Sequence, residues 1–308
     1  MSERSIFANL VREADGSYST VYGPFKLQSA LQPIFRETLN YHLRIDAFEG
    51  LIRASRSGAP CAPAEFFALV QDEDRALIDS LCRSLHILNA GTLARREAIL
   101  LVNFHPGLFT TPNAIRQEVD RMRLAAHEAG LSPGRIACEI REHPQDDPDV
   151  LARFADRLRR SGFLIAIDSY TGDDDDLERV RRLRPALVKF ESAWIKSFAE
   201  NSAGLALLRV MIDQFVAEGV RPIFCSIEEP WQIDLCREIG VPLMQGYLLA
   251  RPEIAPTTFD LHFPETVPFA MSDEPSSGMP SPPAHPQPAA ADMQSRRLTR
   301  QFGKRGLW

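Results

Sequence analysis

Four glycines punctuate the chain in the same way. Gly130, Gly162, Gly219 and Gly240 each close an amphipathic run and stand just before a short apolar one. Glycine takes up the left-handed backbone that ends a helix, so the repeated order reads helix, glycine, strand. A chain built this way folds as an α/β protein with mostly parallel strands, because each helix returns the chain to start the next strand in the same direction.

The β-rich runs are Lys26–Phe35, His42–Arg53, Ile99–Asn103, Arg135–Ile140, Phe163–Asp168, Ala186–Phe190, Arg221–Cys225 and Pro242–Leu248. Helical patterns cover Ala64–Asn89 (broken near Asp72), Asn113–Ala129, Pro148–Arg160, Asp176–Arg182, Ala203–Glu218 and Pro230–Ile239. That many strands in one body suit a (β/α)8 barrel better than an open sheet. The first two strands are joined too tightly for a helical crossover, so they are expected to be antiparallel. The fold class is therefore α/β: a modified TIM-like (β/α)8 barrel with one antiparallel strand.

Residues 1–24 read as an N-terminal segment and 25–265 as the ordered domain. Composition changes after that: Asp273 to Asp292 is dense in Pro, Ser and Ala and has no apolar face. Such a stretch cannot offset its ordering entropy, so 266–308 reads as a disordered linker and tail. The end, SRRLTRQFGKRGLW, is basic. It is either a solvated tail or a docking peptide for an acidic partner or membrane surface, anchored by Phe302 and Trp308.

Hydrophobic content of 44% and charged content of 25% are those of a globular protein. No apolar run reaches the ~20 residues a membrane span needs, and MSERSIFANLVREADGS lacks an apolar signal core. Cys61, Cys82, Cys138, Cys225 and Cys236 are odd in number and form no CxxC pair. They read as free thiols in a reducing compartment, which points to the cytoplasm. A net charge of −6 gives no general attraction to nucleic acid.

In a barrel of this kind the loops after the strands share one mouth, and reactive groups gather there. Glu49, Asn103, Glu139, Asp168, Lys189 and Gln245 each interrupt an apolar strand at or near its end. Gathering several carboxylates in one place is costly unless a cation offsets them. Carboxylates with an Asn carbonyl form the oxygen-rich set expected for Mg²⁺ or Mn²⁺.

In order, LQPIF, FEGLIR, PAEFFALV, LVNF, CEIRE, IAIDSYTG, LVKFE and IEEPWQ…QGYLLARP run from residue 31 to 252. This series resembles the EAL phosphodiesterase domain, whose active members hydrolyse cyclic di-GMP to pGpG with two divalent metals. The resemblance implies that Glu49, Asn103, Glu139 and Asp168 are metal ligands. It gives Arg53 a substrate phosphate, Gln32 a guanine, Lys189 the attacking water and Gln245 the QGY position. Glu142 matches a glutamate that steadies the loop after the fifth strand. Gly50 replaces the alanine of the name-giving triplet.

Two departures concern the second metal. Ser169 stands where active members carry a second aspartate. Counting back from Trp231, the seventh-strand glutamate falls on Cys225, although a short slip in register brings Glu228 or Glu229 toward the site instead. The acidic run Asp173–Asp176 reads as a helix start capped by Asp175 or Asp176, with rescue of the metal as the other reading.

A neutral hydroxyl and a thiol are poor replacements for two anions, so the expectation is one Mg²⁺ or Mn²⁺ site with a doubtful second. The resemblance then implies a catalytically degenerate, cyclic di-GMP-binding or regulatory module. The alternatives are a weakly active or Mn²⁺-dependent phosphodiesterase, with Glu228 or the acidic loop filling in, and a protein-interaction scaffold without nucleotide binding. Homodimers are common in this family, and a protein partner would dock on the barrel surface or the basic tail.

Overall fold

The computed structural model describes residues 9–140, 147–190, 192–199 and 201–265. Glu142 and the segment expected to be disordered at 266–308 lie outside the described residues. The chain opens with strands β1 (Leu10–Arg12) and β2 (Tyr18–Tyr22), then the long pair β3 (Phe25–Glu37) and β4 (Leu43–Arg56), and short β5 (Ala59–Cys61). Helices α1 (Pro63–Ala68) and α2 (Arg75–Ala90) lead to β6 (Ile99–Phe104). Alternation follows: α3 (Pro112–Glu128), β7 (Ile136–Ile140), α4 (Pro148–Arg160), β8 (Leu164–Tyr170), α5 (Asp174–Leu183) and β9 (Leu187–Phe190). Next come α6 (Ser192–Ala199), α7 (Ser202–Ala217), β10 (Arg221–Phe224), α8 (Pro230–Ile239) and β11 (Leu243–Met244). The short pieces β12 (Glu253–Ile254) and α9 (Phe259–His262) complete the described chain.

The sheet closes on itself in the order β3, β11, β10, β9, β8, β7, β6, β4, with β4 pairing back to β3. Strand β3 runs antiparallel to both neighbours, and the remaining barrel neighbours are parallel. The cause is the tight connection: Thr38 N donates to His42 O (2.9 Å) and Tyr41 N to Thr38 O (2.9 Å), closing a turn that leaves no room for a crossover. This agrees with the sequence, as does the break before α2, where a 3₁₀ turn spans Asp72–Asp74.

Helices lie against the outer face by ordinary amphipathic patterning. In α4 the buried residues are Leu151, Phe154, Ala155 and Leu158, the i, i+3, i+4, i+7 stripe of a half-buried helix. The glycines before β8 and β11 sit at positive φ (Gly162 at 86°, Gly240 at 77°), a backbone in which a Cβ is strained. The outer core therefore takes one parity of strand residues, such as Leu100, Val102, Cys138 and Ile140. The opposite parity fills the barrel interior: Ile34, Ala47, Leu101, Ala137, Ala166, Leu187, Ile223 and Leu243 are all buried together.

Four features differ from the sequence reading. Strands β1 and β2 extend the sheet beyond β3, where the sequence suggested only an N-terminal segment. The edge is held by Asn89, whose amide accepts from Tyr18 N (2.9 Å) and donates to Tyr18 O (3.0 Å). Helix α6 was not anticipated. The expected strand Pro242–Leu248 shrinks to Leu243–Met244, because the following residues bond to the loop after β10: Ile227 N donates to Gln245 O (3.0 Å) and Leu248 N to Ile227 O (3.0 Å). Only glycine allows this contact, since a Cβ at Gly246 would fall 2.1 Å from Ile227 O. Finally, α5 starts earlier than expected and Asp173 is its cap, accepting from Asp176 N at 2.8 Å; Asp175 and Asp176 lie inside the first turn.

Candidate functional site at the barrel mouth

Period two decides which side chains meet here. Two residues along each strand from the apolar interior layer, toward the mouth, stand Glu49, Asn103, Glu139, Asp168, Lys189, Cys225 and Gln245, and on the reversed β3, Gln32. Every strand of the barrel thus contributes one residue to a second, polar layer. Gln32 is the register partner of Glu49, and Asn103 of Glu139, which places neighbours side by side around the ring.

Lys189 sits at the centre of this layer. Its ammonium lies 2.8 Å from Glu139 Oε1, 3.1 Å from Glu49 Oε2 and 3.7 Å from Asp168 Oδ1. Burial works against its charge, but Glu139, Glu49 and their neighbours prevail and hold Lys189 well above the usual lysine range. Burial pushes Glu139 the other way, up to about 8, although Lys189 pulls it down. Gln245 extends the network: its Nε2 donates to Glu49 Oε2 (2.8 Å), and Cys225 Sγ donates to its Oε1 (3.6 Å).

The residues present offer donors that suit a hard cation. Glu49, Asn103, Glu139 and Asp168 offer oxygen donors only, and Glu139 Oε2 is a buried carboxylate oxygen without a hydrogen-bond partner. Among the described residues no three His, Cys, Asp or Glu side chains are gathered to hold an ion as they stand, since the Lys189 ammonium occupies the space between the carboxylates. An ion taking that place displaces the ammonium from at least one of them.

The two positions read as departures are placed differently. Ser169 has φ of +56°, is exposed, and turns its N–H back to Asp168 Oδ1 (2.9 Å). Cys225 holds the β10 place in the ring, and burial pushes its thiol up, so it enters as a neutral group. Ser226 beside it also takes a positive φ, +57°. Glu228 and Glu229 are exposed at the start of α8, where both backbone N–H groups donate to Gln232 Oε1 at 2.7 and 2.8 Å. The register slip that would bring either glutamate to the ring is therefore absent.

The acidic run has other work. Asp176 is buried and accepts from Thr171 N (2.6 Å), Gly172 N (3.2 Å) and Arg179 Nη1 (2.7 Å), tying the loop after β8 to α5. Asp174 and Asp175 are exposed on the first turn.

Beside Glu49 and Asn103 opens a cavity of about 840 Å³ between β4, α1 and α2. Arg53 and Arg75 line it, with Phe67 and Leu108 as apolar walls. Arg53 Nη1 donates to Ile52 O (2.9 Å). Sequence reasoning missed three further lining residues, Asp79, His86 and His105. His86 Nδ1 lies 2.7 Å from Ser29 Oγ, and His105 Nδ1 2.6 Å from Asp79 Oδ1. The clue was on α2, where Asp79, Arg83 and His86 interrupt a buried apolar face at i, i+4 and i+7.

Residues 26–252, most of the described chain, match the EAL domain family. The chain belongs to the EAL domain family. Among the relatives of this EAL domain, the probable cyclic di-GMP phosphodiesterase PdeA of Escherichia coli is 27% identical over 124 residues, 40% of this chain and 17% of that protein. Cyclic di-GMP phosphodiesterase NbdA of Pseudomonas aeruginosa is 26% identical over 191 residues, 61% of this chain and 24% of that protein. The chain thus spans less than a third of either relative. The calcium and cyclic di-GMP complex of BlrP1 from Klebsiella pneumoniae superposes with a TM-score of 0.63 at 25% identity, covering 75% of this chain and 56% of that one. A standalone EAL protein from Vibrio cholerae, bound to cyclic di-GMP, also gives 0.63, at 22% identity over 75% of this chain and 94% of that one.

Proposed function

We propose that this EAL domain binds cyclic di-GMP at the barrel mouth and does not turn it over. The observation that carries the reading is the ring itself. In this reading Gln32, Asn103, Glu139, Lys189 and Gln245 of the ring serve recognition together with Arg53 on the cavity beside it, while the hydroxyl of Ser169 and the thiol of Cys225 offer no anion for a second cation.

In this reading Arg53 holds a phosphate through its planar fork, Gln32 and Gln245 orient the nucleotide, and Glu142 supports the neighbouring loop. Glu49, Asn103, Glu139 and Asp168 would hold one Mg²⁺ or Mn²⁺. When bound, that ion supplies a Lewis acid for a phosphate oxygen. Without an anionic second site, nothing in the ring holds the partner ion that two-metal hydrolysis needs.

A slow phosphodiesterase is the second reading, favoured by the intact first-ligand set and by relatives such as PdeA and NbdA, named as cyclic di-GMP phosphodiesterases. Calorimetry and pGpG release on one sample, in Mg²⁺, Mn²⁺ and Ca²⁺, separate the two. The proposal expects binding with release no faster than in Glu49→Ala; rapid release abolished by Glu49→Ala contradicts it.

Among the described residues no helix is long and apolar enough to cross a membrane, and all five cysteines are free thiols. These support a cytoplasmic setting. A homodimer, and a protein partner on the barrel surface or basic tail, complete the proposal for a regulatory module.

A further inference from the structure

Strands β3 and β4 run on past the barrel. Strand β4 pairs with β6 only from Ala47 to Gly50, yet it stays paired with β3 as far as Arg56. The hairpin therefore rises above the mouth, and one of its faces continues the polar ring. By period two, Glu49, Leu51, Arg53 and Ser55 share that face with their register partners Gln32, Ala30, Gln28 and Lys26.

Burial separates the two faces. Gly50, Ile52 and Ala54 are buried on the side of α2, whereas Glu49, Leu51, Arg53 and Ser55 are all partly open. On β3 the same face opens with distance from the ring: Gln32 and Ala30 are buried, Gln28 is half-buried and Lys26 is exposed. Glu49, Leu51 and Arg53 line the cavity.

The polar groups around Gln28 are engaged. Lys26 Nζ lies 2.7 Å from Glu13 Oε1, and Ser19, the partner of Gln28 on β2, donates its hydroxyl to the same oxygen at 2.5 Å. Arg53 Nη1 donates to Ile52 O. Among the described residues the Gln28 amide has no hydrogen-bond partner. Its Cβ stands about 5 Å from that of Arg53, as for any directly opposed pair. A neutral amide with two N–H donors beside a permanent cation suits a phosphate. This row lies about 13 Å along the strands from the Gln32–Glu49 row, so a ligand that touches both is extended, as a dinucleotide is.

We propose that Gln28 is a ligand-contacting residue that donates to the phosphate held by Arg53, and that it adds affinity for a cyclic dinucleotide. The proposal rests on the reading of the mouth as a cyclic di-GMP site. It adds to that site a residue outside the motifs that carry the EAL resemblance.

The test is calorimetric titration of the full chain with cyclic di-GMP in Mg²⁺, using Gln28→Ala, Gln28→Glu, Arg53→Ala and the double variant Q28E/R53A. Gln28→Ala is expected to weaken binding roughly tenfold with its unfolding temperature unchanged. Gln28→Glu is expected to weaken it further, because a carboxylate repels the phosphate. That loss is expected to persist in the Arg53→Ala background, which separates direct contact from an effect passed on through Arg53. Tight binding by wild type with equal binding by Gln28→Ala overturns this proposal alone. So does a Gln28→Glu effect that vanishes without Arg53, and tighter binding by Gln28→Glu overturns the phosphate as its partner. If wild type itself fails to bind, the cyclic di-GMP reading falls and the proposal falls with it.

Discussion

At position 50 the backbone of β4 passes so close to α2 that a Cβ would stand 2.6 Å from His86 Cγ. Glycine here accommodates His86, whose Nδ1 bonds Ser29, and this is a local reason for the altered triplet. Gly50→Ala is expected to destabilise the domain by about 1–3 kcal/mol in urea unfolding, and much less in a His86→Ala background. His86 also gives a pH dependence. Burial, with the charges of Arg53 and Arg83 behind it, lowers His86 to about 3. In the unfolded chain it takes up a proton near pH ~6.5, so protons favour unfolding below that value. The stability contributed by the neutral ring is full above about pH 6.5 and declines toward pH 3, by about 1.4 kcal/mol per unit at most. Unfolding curves across that range should lose this slope in His86→Leu. Of the site residues, those on strand ends were legible because a polar residue in an apolar strand stands out. Asp79 and His86 were not, because a polar helix residue usually faces solvent and only packing shows these two turned inward.

Elements were legible in proportion to their local patterning. The barrel strands and most helices follow from apolar period and glycine stops, and the antiparallel pair from the shortness of one connection. Strand β1, at three residues, has too little pattern to announce itself, and β2 depends on Asn89, 71 residues away from Tyr18 in the chain. The last barrel strand was overread because nothing local tells that Gln245 and Leu248 bond across to the loop after β10. At this scale the buried knot of Arg83 with Asp79 and Glu118, between α2 and α3, is the feature to disturb. Glu118→Ala leaves the fully buried Arg83 with Asp79 as its remaining acid, and removal of a partner from such a pair costs about 3–5 kcal/mol. A matching fall in unfolding free energy, larger than for the exposed pair Arg75–Asp72, is the expected result.

For the whole molecule, the proposed function rests on one layer of eight side chains, whose charge balance would separate recognition from turnover. Three carboxylates converge on Lys189, while the β10 position carries a neutral thiol and the residue after Asp168 a hydroxyl. Restoring both anions with Ser169→Asp and Cys225→Glu should therefore raise pGpG release by two orders of magnitude or so, measured against either single change. The most direct measurement counts ions. In a crystal grown with cyclic di-GMP and Mn²⁺, anomalous scattering should show a single ion at Glu49, Asn103, Glu139 and Asp168. Two fully occupied ions roughly 4 Å apart, the second beside Ser169 and Cys225, would contradict the account.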